Sequence, residues 1–265
     1  MVRRAQHRNR PAWLALSLVF SLWSGSVNAG QELLDIPVRP GATIPVLEMT
    51  GGGAVRYVVV YMAGGSGQRQ LHSIDLDPLF VDPESLLSAQ RQMADQVGAM
   101  AAVDTATDHP TLEMPDRLTP EHQQDIHTVI AAMRARHPGA KIALMGSSNG
   151  AYSAALLGAR LGKEVDAVIL ISANPDAWTL AAGLKQPVLG VHHRRDACLQ
   201  FAESYPKAHF YPLIVVDDAR FPKAWSFTER DCSLQSAHTL YGRRPQVYAA
   251  IADWLLTGQL RAKVE

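Results

Sequence analysis

A serine held between two glycines is the first place in this sequence where chemistry could occur. Gly146-Ser147-Ser148-Asn149-Gly150 fits the pattern G-x-S-x-G in one frame only, with Ser148 at its centre. A serine so placed acts as a nucleophile when it sits on a sharp turn from a strand into a helix. Such a turn forces an unfavourable φ on the serine, so its neighbours must be small. Gly146 and Gly150 supply that room, and Ala151, Ser153 and Ala154 would let the following helix approach the strand. The context fits: Lys141 to Met145 reads as a short strand and Gly150 to Leu161 as a helix of small residues. The plainer alternative is an ordinary strand-to-helix turn closed by glycine.

A nucleophilic serine needs donors for the developing oxyanion. The N–H of Asn149, directly after Ser148, is the expected first donor. The second should come from the loop after an earlier strand, where Met62-Ala63-Gly64-Gly65-Ser66-Gly67 follows the apolar run Val58-Val59-Val60-Tyr61. Gly65 is the expected residue, with Ser66 next in line. A flexible connection or a weak phosphate nest would also explain these glycines, but no Gly-Lys-Ser/Thr follows to make a nucleotide-binding loop.

The serine also needs a base and an acid, in the chain order Ser, Asp or Glu, His. His209 and His238 lie in range. His209 stands at the amino end of the strand His209 to Val216, the wrong edge for a site, so His238 in Ser236-Ala237-His238 is the expected base. Asp196 follows the strand Pro187 to Val191 through His192-His193-Arg194-Arg195 and is the expected acid; Asp176, Asp217 and Asp218 remain alternatives. His192 and His193 would point to opposite faces if they continued the strand, so they read as loop structure rather than metal ligands. The scheme calls for neither metal nor cofactor.

These residues need a scaffold, and the chain alternates strand and helix patterns. Leu86, Ala89, Met93 and Val97 recur at helical spacing after the cap-like Asp82-Pro83. Met100 to Val103 reads as a strand. Thr119-Pro120 opens a second helix, with Ile126, Val129, Ile130 and Met133 on its apolar face. Val165 to Ser172 is another strand, and Val247, Ile251, Trp254 and Leu255 mark a last helix. Glu32 to Val38 and Thr43 to Met49 suggest a leading hairpin around Pro40-Gly41. Unbroken apolar strands alternating with helices imply a mostly parallel sheet of about eight strands, covered on both faces, in one domain. In such sheets sites form at the carboxyl ends of the strands.

The N-terminus reads as an export signal rather than as part of that domain. Arg3, Arg4, Arg8 and Arg10 precede an apolar run from Ala12 to Trp23 and a small, polar stretch ending Val27-Asn28-Ala29. The expectation is a signal peptide over residues 1–29, cleaved after Ala29, and a mature domain over 30–265 in the periplasm or secreted. The apolar run is shorter than the roughly 20 residues that span a bilayer, so no membrane span should remain after cleavage. An oxidising compartment makes the two cysteines, Cys198 and Cys232, an expected disulfide joining the loop of Asp196 to that of His238. A formal net charge of zero gives no basic face for nucleic acid.

In sequence order, Gly-Gly-Ser-Gly, Gly-Ser-Ser-Asn-Gly, His-His-Arg-Arg-Asp-Ala-Cys and Cys-Ser-Leu-Gln-Ser-Ala-His resemble the α/β-hydrolase superfamily, and more closely a group of exported bacterial members of poorly defined substrate. The resemblance covers roughly Tyr57 to Leu256. It implies the α/β-hydrolase fold and a triad of Ser148, Asp196 and His238. Asn149 departs from the pattern, since relatives often carry Arg or another larger residue there. The expected reaction is hydrolysis of an ester-type bond in a small molecule through an acyl-enzyme on Ser148. A binding protein that keeps the fold, an acyltransferase and a peptidase are the alternatives. Substrate is not readable: the segments Gln68–Val81, Thr105–Leu118 and Ala219–Arg244 would ring the site. Their Leu71, Phe80, Phe221, Trp225 and Phe227 suit either an acyl pocket or loop packing.

Overall fold

The computed structural model describes residues 29–199, 210–218 and 231–265. His209, Phe221, Trp225, Phe227 and all but the last residue of the expected signal peptide lie outside them. The chain opens with the expected hairpin, β1 (Gly30–Arg39) and β2 (Ala42–Thr50), turning at Gly41 with φ 77°. Then follow β3 (Tyr57–Met62), α1 (Asp77–Val81), α2 (Leu86–Val97), β4 (Gly98–Val103), α3 (Met114–Arg117), α4 (Pro120–Arg136) and β5 (Lys141–Ser147). The second half holds α5 (Asn149–Leu161), β6 (Ala167–Ile171), α6 (Pro175–Ala181), β7 (Val188–His193), β8 (Leu213–Val216), α7 (Arg244–Thr257) and β9 (Lys263–Val264).

All nine strands form one sheet in the order β1-β2-β4-β3-β5-β6-β7-β8-β9. The β1–β2 and β2–β4 pairings are antiparallel, and every other pairing is parallel. Period two divides the side chains between two cores. Val58, Val60 and Met62 of β3 face α4, α5 and α6, while Val59 and Tyr61 face α2 and α7. Both faces are covered, which is why the central strands carry no polar alternation.

Topology chooses where a site can form. After β3 the chain goes to one side to build β4, then returns to place β5 on the other side of β3. The connections leaving the carboxyl ends of β3 and β5 therefore diverge, and the crevice between them is where open sheets of this kind bind ligands. The glycine-rich loop leaves β3 and the serine turn leaves β5.

Several boundaries differ from the sequence reading for identifiable reasons. The helix expected after Asp82-Pro83 begins at Leu86, with Ser85 as its cap accepting from the N–H of Ser88. Asp82 instead closes the short α1 and accepts the N–H of Glu84 at 2.9 Å. The sheet has nine strands rather than eight; the extra one, β9, is a two-residue pairing with β8. β7 runs two residues further than expected, so His192 and His193 are strand residues, fully buried, and not loop structure.

Candidate active site

Ser148 stands between β5 and α5 with φ 54° and ψ −121°, far from the conformations L-residues prefer. Its N–H donates to Ile171 O at 2.9 Å, and its carbonyl accepts from Ala151 N at 2.9 Å, so both neighbouring elements hold the turn. The glycines are required by contact. A Cβ on Gly146 would lie 2.0 Å from Gly150 O, and one on Gly150 would lie 2.2 Å from Met62 O. The second contact shows how closely the turn approaches the end of β3. Gly64 presses on the serine itself: a Cβ there would sit 2.9 Å from both Ser147 O and Ser148 Cβ.

The loop 63–67 after β3 is held from behind by a residue that the sequence reading missed. Arg117, 1% exposed, donates to Gly65 O at 3.0 Å, to Ala63 O at 3.3 Å and to Ser153 Oγ of α5 at 3.0 Å. Burial lowers its pKa to about 10, so it stays a cation at neutral pH. Asn149 adds a fourth tie, its Nδ2 donating to Gly65 O at 3.2 Å. The residue that departs from the superfamily pattern thus bridges the serine turn to the loop carrying Gly65. The two expected oxyanion donors belong to one cross-linked unit.

At the end of β7, Asp196 is 2% exposed. Its Oδ1 accepts the N–H groups of Cys198 at 2.9 Å and Leu199 at 3.1 Å, so the carboxylate closes its own turn. Its Oδ2 lies 2.8 Å from His238 Nδ1 and 3.1 Å from His192 Nε2. Burial works against ionisation of Asp196, but the contacts with His192 and His238 outweigh it and hold the carboxyl well below the usual carboxylate range. His193 points the other way, as neighbours on a strand must. Its Nδ1 accepts from Arg195 N at 3.0 Å, and burial lowers its pKa to about 4.

His238 lies in a short 3-10 turn, Ala237–Thr239, past β8 and before α7, and is 4% exposed. Two further residues without a sequence signal fix that turn. Ser172, buried at the end of β6 with φ 46°, donates from Oγ to His238 O at 2.7 Å. Arg244 donates to Thr239 O at 2.9 Å and, at 2.5 Å each, to Leu234 O and Glu84 O.

The alternatives for the acid are not brought to His238. Asp176 is exposed in the first turn of α6. Asp217 lies 3.5 Å from both Arg194 and Arg195, and Asp218 lies 3.4 Å from Arg243. Of the two residues left open as pocket or packing that are described, Leu71 is core and Phe80 packs against it.

Cys198 and Cys232 form a disulfide, with Cα atoms 4.9 Å apart and a sequence separation of 34. It ties the turn of Asp196 to the segment leading to His238. Closing a loop of that length stabilises by about 4 kcal/mol on the chain-entropy argument. Cys198→Ser/Cys232→Ser should lower the melting temperature, and its turnover at room temperature should fall before the fold is lost. Assay and thermal unfolding of the double variant check this; unchanged activity and melting would show that the bridge supports neither.

Comparisons with known proteins agree with this architecture. A family model described as serine aminopeptidase matches residues 118–207, a span that includes Ser148 and Asp196 but not His238. No curated protein matches the chain in sequence. Among solved structures, dienelactone hydrolase from Anabaena variabilis is similar at TM-score 0.60 and 16% identity, covering 89% of this chain and 100% of its own. An α/β serine hydrolase without a lid from Xanthomonas campestris reaches TM-score 0.58 at 16% identity, covering 89% and 96%. An esterase from Pyrococcus furiosus reaches 0.57 at 12% identity, covering 86% and 92%. The strand order, the turn at Ser148 and these likenesses together make the chain an α/β-hydrolase by fold.

Proposed function

We propose that the protein is a serine hydrolase that cleaves an ester-type bond through an acyl-enzyme on Ser148. The observation that carries this reading is the buried Asp196–His238 pair at 2.8 Å, presented at the same sheet edge as a serine in a left-handed strand-to-helix turn. With Nδ1 bonded to the carboxylate, the imidazole keeps its proton there and leaves Nε2 free to accept one. His238 takes the proton of Ser148 as Oγ attacks the carbonyl. Asp196 stabilises the imidazolium. The N–H groups of Gly65 and Asn149 receive the oxyanion. His238 then protonates the leaving alcohol, and the same steps with water release the acid.

A panel of p-nitrophenyl esters of graded chain length tests this reading. Turnover that disappears in Ser148→Ala supports it, and no turnover on any ester removes it. The match to a serine aminopeptidase model favours a peptidase as the second reading; aminoacyl p-nitroanilides hydrolysed faster than any ester would select it.

We also propose that the protein is exported and loses residues 1–29. The disulfide supports this, because such bonds persist in oxidising compartments. The first strand begins at Gly30, directly after the expected cleavage point. Intact mass of the exported protein should correspond to a start at Gly30, and a mass retaining residues 1–29 would reject cleavage.

A further inference from the structure

Among the described residues, Arg69 beside this site has no carboxylate paired with its guanidinium. Arg69 lies two residues beyond Gly67, and its main-chain N–H is anchored on Asp104 Oδ1 at 2.7 Å. Its guanidinium stacks over the ring of Tyr61, 5.4 Å from the centroid. Tyr61 is the penultimate residue of β3 and pairs in register with Met145, which shares a face of β5 with Ser147, the residue before the nucleophile. Among the described residues no carboxylate lies within 4.0 Å of the Arg69 guanidinium. Its one side-chain hydrogen bond is a long one, 3.4 Å from Nη2 to Gln90 Oε1. The buried Nε has no acceptor.

Gln90 sharpens the point. It is fully buried on α2, and its Nε2 also has no acceptor. The Arg69 contact settles which end of the amide is oxygen, since a flipped amide would set N–H against N–H. Two buried donor groups, Arg69 Nε and Gln90 Nε2, therefore lie close together with no acceptor in hydrogen-bond geometry, although Gln90 also interacts with the Tyr248 phenol. Leaving such groups unmatched is costly, and for a charged group more so.

The surrounding charges do not cancel Arg69. Asp104 acts on it through space, but that carboxylate accepts the main-chain N–H groups of Arg69, Leu71 and Thr105. Glu84 lies toward Arg244. Arg244 is committed to carbonyls of the His238 segment, and its positive charge falls on the same Tyr61 and Tyr248 phenols as that of Arg69. Two cations, Arg69 and Arg244, thus act on the same pair of phenols, and the unmatched groups of Arg69 and Gln90 are both donors.

We propose that Arg69 and Gln90 form a carboxylate-binding subsite next to the nucleophile, so that the substrate is an ester carrying a free carboxylate. A planar carboxylate suits a guanidinium, which can meet it with parallel N–H groups. The proposal rests on the serine-hydrolase reading above and names the substrate class of that site.

The test compares p-nitrophenyl valerate with the mono-p-nitrophenyl ester of glutaric acid. The two have acyl chains of equal length and differ in a terminal carboxylate. The quantity read is the ratio of kcat/KM, glutarate over valerate, corrected for uncatalysed hydrolysis. A charge-assisted hydrogen bond gained in a desolvated site predicts a ratio of at least about 10 in the unmodified protein. The ratio should fall to about 1 in Arg69→Met and lie between in Arg69→Lys. The chain's formal net charge is zero, so overall attraction does not supply such a preference.

A ratio of 1 or less in the unmodified protein overturns the proposal, as does a ratio that survives in folded Arg69→Met. If Arg69→Met does not fold, Gln90→Leu and the salt dependence of the unmodified protein's ratio decide. A preference that neither responds to is not made by this subsite. Valerate turnover without a glutarate preference would sink the subsite and leave the hydrolase reading standing. Turnover of neither ester would remove both.

Discussion

Ser148→Ala is expected to lower ester turnover by at least about 10³-fold, while Ser147→Ala should lower it far less. The two hydroxyls are adjacent in sequence, and only their backbones separate their roles. Ser147 ends β5, and strand alternation puts its side chain on the face of Met145, toward α2 and α7. Ser148 has left the strand: its φ of 54° swings the side chain out at the sheet edge, and Gly64 approaches its Cβ. Steady-state kinetics on a p-nitrophenyl ester, with circular dichroism to confirm folding, decides the matter. A larger loss in Ser147→Ala would misplace the nucleophile.

Asp196→Asn should lower turnover by about 10³ to 10⁴-fold, the scale on which a triad loses its orienting carboxylate. The hydrogen-bond pattern dictates this. The N–H groups of Cys198 and Leu199 require an acceptor at Oδ1, so an asparagine would keep its oxygen there and turn its amide toward His238. Nδ1 of His238 would then have to accept, the ring proton would move to Nε2, and the base would be lost at the atom that needs it. Combining Asp196→Asn with Ser148→Ala should cost little beyond Ser148→Ala, because the groups act as one unit. Asp176→Asn, on the exposed turn of α6, should leave turnover within about twofold, since surface changes away from such networks act weakly. A loss in Asp176→Asn matching that in Asp196→Asn would assign the acid wrongly.

The parts of this site that could be read from the sequence are those that local geometry dictates. The glycines around Ser148 are demanded by contacts near 2 Å, so the motif is compressed into five residues. The apolar runs of β3, β5 and β6 reflect burial on both faces, and the Thr119-Pro120 start of α4 is a short-range signal that holds, with Thr119 accepting from His122 N. The pairing of Asp196 with His238 could be anticipated because a carboxylate just past the carboxyl end of a strand lies at the edge where such sheets form their sites.

What could not be read depends on residues far apart in sequence. Arg117 reaches Ala63 and Gly65 across more than fifty positions, and Arg244 reaches Glu84 across 160. Ser172 meets the carbonyl of His238, 66 positions away. Each is a single polar residue with no motif around it. Only burial shows that it is paired to a particular carbonyl. Arg69 and Gln90 are of the same kind, and their importance lies in partners they lack. Asp82-Pro83 misled for the opposite reason: the cap chemistry is real, but it ends α1 instead of opening α2.

The central claim is that Ser148 is a nucleophile activated by His238 and Asp196. Labelling the folded protein with a fluorophosphonate and mapping the modified peptide by mass spectrometry tests it most directly. Such a probe forms a bond only with a serine whose proton is removed in place and whose developing oxyanion is received. The account predicts one adduct, on Ser148, that is absent from Ser148→Ala and strongly slowed in Asp196→Asn. No adduct on folded protein, or an adduct on Ser147 that persists in Ser148→Ala, would contradict it.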